Sequence, residues 1–182
     1  MTFTTQMLAP ETWDDFAALV EASNGVWGGC WCMGFHPEGV GAGHTREGNR
    51  EAKRRHVTDG TVRQVLVYDG DRCVGWCQFG SPPELPNINN RGAYDRGADD
   101  PPDWRIGCIF TNAKDRGKSV AAAAVAAALD GFASPRTRHD RPWSAPDPNV
   151  PVEDLAGVIG PPQATSPRRH LVRVVQRLSA AT

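Results

Sequence analysis

Apolar residues first recur at helical spacing in ETWDDFAALVEA, residues 11–22, where Trp13, Phe16, Leu19 and Val20 share one face. Pro10 and the acidic residues around the first turn mark its start and Asn24-Gly25 its stop, so a helix is predicted over 11–22. Residues 25–44 are glycine-rich but carry Trp27 and Trp31, which suits a loop packed against the body of the protein. A mostly polar second helix is predicted over 45–60, ending at Gly60. The pattern then switches to β-rich runs, Val62 to Tyr68 and Cys73 to Phe79, joined by Asp69-Gly70-Asp71 as a hairpin. Residues 80–103 read as a long surface loop and WRIGCIFT, 104–111, as a third strand. A basic turn, KDRGKS, leads from it into a helix built almost wholly of alanine.

After about residue 134 the chain becomes rich in proline and arginine, and only LVRVVQRL keeps an amphipathic pattern, which predicts a short terminal helix in an otherwise poorly ordered tail. The division expected is residues 1–133 as a folded domain and 134–182 as a divergent tail. The tail's abrupt Pro, Arg and Ala bias resembles a GC-rich gene read in a shifted frame.

Length and charge narrow the classes. A chain of 182 residues suits one domain with a core and a roofed cleft. The alanine run at 119–129 is too short and too weakly apolar to cross a bilayer, and MTFTTQMLAPETWDDF lacks the layout of a secretory signal, so a cytoplasmic protein is expected. With a net charge of −1 and basic residues spread along the chain, neither nucleic acid nor membrane is an expected partner. Lys53, Arg54 and Arg55 read as a solvated helix face.

The five cysteines are Cys30, Cys32, Cys73, Cys77 and Cys108. Together with His36 they invite a zinc reading, but Cys30 and Cys32 are separated by one residue rather than the two to four of usual knuckles. Cys73 and Cys77 straddle a strand, on one face and about 13 Å apart at strand rise. Packing thiols are therefore expected, and no metal. Cys108 has no identifiable base partner, so it reads as a buried strand thiol rather than a nucleophile.

The turn carries the sharpest chemistry. A strand that runs through a turn into a helix aims backbone N–H groups and the positive helix end at one point, an arrangement suited to phosphate. Arg116 and Lys118 add mobile positive charge, and Ala121 to Ala124 let a bulky ligand or a neighbouring sheet come close. Gly117-Lys118-Ser119 matches the tail of a Walker A loop, but Asn112 stands where that loop needs its first glycine. Arg116-Gly117-Lys118-Ser119-Val120-Ala121 instead fits Arg-x-x-Gly-x-Gly/Ala at every defined position but the fourth, and this resembles the pyrophosphate loop of the GNAT acetyltransferases. The order of elements over residues 1–133, with GGCWCMGFH, VYDGDRCVGWCQFG, ELPNI and DWRIGCIF, is similar to a bacterial GNAT subgroup of uncharacterised substrate.

That resemblance implies an α+β fold of three layers, with a mixed, mostly antiparallel sheet flanked by helices and an incomplete or disordered C-terminal part. It implies acetyl-CoA as co-substrate. Cys108, Ile109, Phe110 and Thr111 would bond the pantetheine arm through the main chain, and Arg116, Gly117, Lys118, Ser119, Val120 and Ala121 would hold the pyrophosphate. An amine of a small-molecule or protein acceptor would attack the acetyl carbonyl directly, with a backbone N–H polarising the oxygen. A homodimer is compatible with this reading. Ser119 departs from the family's glycine, which is expected to weaken cofactor binding by about 1 kcal/mol. Residues 134–182 hold no tyrosine for the family's proton donor and no convincing strand pair, so a non-catalytic remnant is the alternative. Glu84, Asp103, His36 and Asp99 are candidate bases, each equally readable as a solvated residue or a cap, and no catalytic residue is assigned. Trp27, Trp31, Trp76 and Trp104 are candidates for an acceptor pocket or for the core.

Overall fold

A computed structural model of the chain describes residues 2–26, 28–40, 44–88, 91–92, 102–133 and 172–174. Its elements are β1 (Thr4–Met7), a 3-10 turn (Pro10–Thr12), α1 (Trp13–Ala22), α2 (Arg46–Thr58), β2 (Arg63–Asp69), β3 (Arg72–Gly80), β4 (Trp104–Thr111), a second 3-10 turn (Ala113–Asp115), α3 (Val120–Ala133) and β5 (Val172–Val174). One sheet runs in the order β1-β2-β3-β4-β5, antiparallel throughout except for the parallel β4–β5 pair. Helices cover both faces, as the expected α+β, three-layer class requires.

Each face of the sheet has its own core. Phe16, Leu19 and Val20 of α1 meet Leu66, Tyr68, Trp76 and Cys108 on one face, with the loop residues Trp31, Met33 and Phe35 filling between. Fully burying each of these large apolar side chains contributes roughly 2 kcal/mol. On the other face, Ala124, Ala127 and Ala128 of α3 lie against Val65, Val67, Val74, Cys77 and Ile106. Their spacing of three and four residues makes a stripe of methyl groups, and so short a side chain brings the helix backbone close to the strands.

Two bulges shape the sheet. Opposite Val67 and Tyr68, β3 carries an extra residue, so that Gly75 pairs with Val67 but Cys73 with Tyr68. The inserted residue reverses the alternation of faces, and Cys73 joins the α1 core while Cys77 joins the α3 core. The expectation that these thiols share a face is therefore wrong, because a simple period of two does not survive a bulge. In β4 the extra residue is Gly107: Gln78 pairs with Cys108 and Phe79 with Ile106. A Cβ at Gly107 would sit 3.2 Å from the Phe35 ring and 3.3 Å from Leu85. The loops bearing Phe35 and Leu85 thus close directly over β4.

Three further expectations are corrected. The sheet begins with β1, a strand that the sequence pattern does not predict. Within LVRVVQRL, residues Val172–Val174 form a strand rather than a helix, pairing with Trp104, Arg105 and Ile106. A short apolar run fits either period, and here the edge of β4 supplies the hydrogen-bond partners that decide it. Lys53 is not on a solvated face: it is wholly buried, while Arg54 and Arg55 are exposed. The order of the tail from 134 onward, Val172–Val174 apart, lies outside the described residues. Among the described residues no helix is long and apolar enough to cross a membrane.

Candidate functional site

The turn between β4 and α3 is built as a strand-to-helix cradle. Asn112 N–H donates to the Val74 carbonyl at 2.8 Å, so the chain leaves the sheet only there. The Asn112 side-chain oxygen then accepts from Lys114 N–H at 3.2 Å, which starts the 3-10 turn. Asp115 is buried and anchors the rest of the turn. Its carboxylate receives both guanidinium nitrogens of Arg72, at 2.7 and 3.1 Å, and the Lys118 ammonium at 2.9 Å. The hydrogen bonds from Arg72 and Lys118 hold the Asp115 carboxyl well below the usual range. Lys118 is therefore a strut of the turn, not the mobile charge expected. Arg116 makes no ion pair among the described residues and is exposed.

Gly117 and Ser119 both have positive φ, 77° and 67°. The left-handed region costs a side chain about 1 kcal/mol or more, whereas glycine enters it freely. The backbone conformation alone therefore favours glycine at position 119. The Ser119 carbonyl accepts from Ala123 N–H at 3.0 Å and opens α3. Helix geometry leaves the N–H groups of Val120, Ala121 and Ala122 without intrahelical acceptors. These donors, the helix dipole and the exposed Arg116 share this end of the turn, and a Cβ built at Gly117 meets nothing within 4 Å among the described residues.

Beneath the turn lies Gly75. A Cβ at this position would stand 2.5 Å from the Phe110 carbonyl oxygen and 2.7 Å from Val120 Cγ1. Val120 is itself buried, so the first residue of α3 is seated on the β3 bulge. The strand residues expected beside the turn are graded in burial. Cys108 is fully buried, and Ile109, Phe110 and Thr111 are half-buried, with Phe110 stacked on Trp76 at 4.3 Å between ring centres. The described pairing of β4 with β5 stops at Ile106, one residue before the Gly107 bulge.

The other candidates separate clearly. Glu84 is committed: Arg63 Nε donates to one carboxylate oxygen at 3.0 Å, and the Ser81 N–H and hydroxyl donate to the other at 2.7 Å each. Burial raises its pKa, but these bonds outweigh burial and the net shift is downward, so it is a loop brace and a poor base. His36 is buried against Gln78, Nε2 to Nε2 at 2.6 Å, and its pKa falls to about 2, through burial first and then the charges of Lys53 and His56. It is a neutral imidazole. Asp103 is exposed at the head of β4, and Asp99 and Trp27 lie outside the described residues. Trp31 and Trp76 belong to the core, Trp31 stacking on Trp13 at 5.9 Å. Trp104 is half-buried against Phe79.

Cys108 Sγ lies 3.0 Å from Cys32 Sγ, and Trp76 Nε1 donates to Cys32 Sγ at 3.1 Å. Both thiols are buried, as expected of packing cysteines. Cys30, Cys32, Cys73 and Cys77 do not gather into a metal-ligand set among the described residues. His36, Glu38 and His56 do approach, with ligand atoms within 4.8 Å of one another. This grouping depends on the loop folding back onto α2, and sequence spacing gave no sign of it.

No family model matches the chain, and no curated protein matches it. Solved structures do. AAC(6')-Iy in complex with the bisubstrate analogue CoA-S-monomethyl-acetylneamine is 10% identical, with a TM-score of 0.50 over 93% of this chain and 99% of that one. Ribosomal-protein-alanine N-acetyltransferase from Brucella melitensis biovar Abortus 2308 is 14% identical, with a TM-score of 0.44 over 92% and 97% of the two chains. A GNAT-family protein from Desulfovibrio desulfuricans is 14% identical at a TM-score of 0.43; 71% of this chain matches, spanning 65% of that one. The strand order, the helices on both faces and the likeness to AAC(6')-Iy agree: this chain has the GNAT fold.

Proposed function

We propose that the protein binds acetyl-CoA at the β4–α3 turn and transfers the acetyl group to an amine. The observation that carries this reading is the cradle itself, in which the left-handed Gly117 and Ser119 turn the chain into α3 beside the exposed Arg116. The pyrophosphate would be held by Arg116 and the N–H groups from Gly117 to Ala121. The pantetheine arm would run along Cys108 to Thr111, past the point where β5 stops. Acetyl-CoA supplies an activated thioester, and the chain's part is to orient it and exclude water.

A specific observation favours a second reading, a binding protein that has lost turnover. Of the residues considered as bases, Glu84 is fully engaged and His36 resists protonation. Thermal unfolding with acetyl-CoA separates these from a fold with no such ligand. Binding to the native state must raise its stability, by about 2.7 kcal/mol at a hundredfold excess over Kd. A rise in Tm with acetyl-CoA, and with CoA, is expected. No shift at millimolar ligand would end both readings, and thiol release on a panel of amines then distinguishes enzyme from binder.

A further inference from the structure

On the α1 face of the sheet, beside the inner half of β4, lies a row of polar side chains that the proposed acetyl-CoA contacts do not use. Gln64, Gln78 and Cys108 are register partners across β2, β3 and β4, so their side chains stand next to one another on one face. Gln64 and Gln78 are fully buried, yet both polar atoms of the Gln64 amide and Oε1 of Gln78 have no hydrogen-bond partner among the described residues. Turning the Gln78 amide over would place its oxygen against His36 and leave its nitrogen without a partner instead, so one unpartnered atom remains however the amide is assigned. Above the row, α2 contributes Lys53, also fully buried, whose Nζ has no hydrogen-bond partner among the described residues and lies 5.9 Å from the centre of the Phe16 ring. Phe16 in turn packs on Trp76, which shares this face of β3 with Gln78.

A buried ammonium, one buried amide without partners and a second satisfied on one side only are costly in a folded domain unless something meets them. Apolar replacements would pack the same space at less cost. Among the described groups near Lys53 are the thiols Cys30, Cys32 and Cys108 and the neutral His36, and none is a carboxylate. A cation at the nearby His36, Glu38 and His56 would be opposed by Lys53. An anion would be welcomed. With one positive charge buried, a singly charged planar group neutralises the site, whereas a phosphate dianion would leave a net negative charge in the interior. The Gln64 amide nitrogen can donate to the oxygens of such a group, and the Gln78 nitrogen can do so with its amide turned over, His36 Nε2–H then donating to the Gln78 oxygen. His36 lies between Gln78 and the partly exposed His56, whose ring is 4.5 Å away and tilted by 32°.

We propose that Lys53, with Gln64 and Gln78, receives a carboxylate of the acceptor, so that the acceptor is an amino acid or a similar amine bearing a carboxylate. This rests on the acetyl-transfer reading for the word acceptor, but the carboxylate site itself can be tested without acetyl-CoA.

The full chain would be titrated, with and without CoA, against a panel of N-acetyl amino acids and their neutral amides. The acids are expected to raise Tm and to bind at least tenfold more tightly than their amides, with inorganic phosphate giving no comparable shift. Lys53→Met should abolish the preference and, having lost an uncompensated buried charge, should melt no lower than the wild type. Equal binding of acids and amides, binding of neither, a preference that survives in Lys53→Met, or phosphate binding as tightly as the acids would each overturn the proposal. The wild-type comparison stands even if the variant does not fold. In thiol-release assays, amino acids should exceed their decarboxylated counterparts in kcat/KM by at least tenfold. Lys53-dependent binding of acids with no response to acetyl-CoA would remove the acetyl-transfer reading and leave the carboxylate site. Turnover of neutral amines equal to that of amino acids would do the reverse.

Discussion

Ser119 holds its backbone at φ 67°, and its exposed side chain has no hydrogen-bond partner among the described residues to offset that conformation. Replacing it with glycine removes the side-chain penalty, although the unfolded chain gains some freedom in exchange. Ser119→Gly is expected to stabilise the fold by about 1 kcal/mol in urea unfolding. It should also tighten acetyl-CoA, because a backbone without Cβ lets the pyrophosphate come closer. An unchanged or lowered midpoint would mean that the serine side chain supports the turn. The motif showed which residue was unusual; only the dihedral shows why. Lys118 was less legible, since no spacing rule reveals that a buried Asp115 recruits it together with Arg72 from β3.

Elements with a clear period are legible in the sequence. α1, β2, β3 and β4 lie within two residues of their expected bounds, because α1 carries an apolar face at helical spacing and the strands are short apolar runs bounded by turn residues, β2 and β3 being buried on both faces. β1 and β5 were not legible. Four residues and three residues carry too little pattern, and each is a strand because a longer neighbour offers it an edge. The bulge in β3 was also hidden, although Gly75 is its trace in the sequence. A methyl group there would collide with the Phe110 carbonyl and with Val120. Gly75→Ala is expected to cost about 2 kcal/mol, the scale of overpacking in a tight core, and to weaken acetyl-CoA binding by displacing the start of α3. Wild-type stability and affinity in this variant would show that the helix does not depend on that seat.

At the scale of the whole molecule, the buried ionisable groups make stability depend on pH in two opposing ways. Burial lowers Lys53 from 10.5 to about 8. Between those values the unfolded chain holds a proton that the folded chain has released, so this contribution raises stability as pH climbs from about 8 to 10.5, by about 3 kcal/mol at 1.36 kcal/mol per unit. The thiols act the other way. Burial pushes Cys73 up from 9.0 to about 12, so the stability it lends is complete below pH 9 and is lost as pH rises toward 12. Cys30, Cys32 and Cys77 are shifted in the same direction. Subtracting Lys53→Met from the wild type cancels most of the thiol contribution. Relative to that variant the wild type should gain stability between pH 8 and 10.5, measured by urea unfolding at each pH. A constant difference across this window would show that Lys53 is not held at a lowered pKa.

The seat that Gly75 provides for α3 separates two properties of the cradle. What it would hold depends on residues 116–121, of which Gly117 is held to its left-handed φ and Lys118 to Asp115, whereas Arg116, Ser119 and Ala121 face solvent and can change at little cost to the fold. Where it stands depends on the floor of the sheet, which cannot. On the proposed acetyl-CoA reading, a change in the turn such as Ser119→Gly would therefore retune affinity while the anion would still meet the chain at the same point beside β4, leaving the choice of acceptor to the opposite face of the sheet.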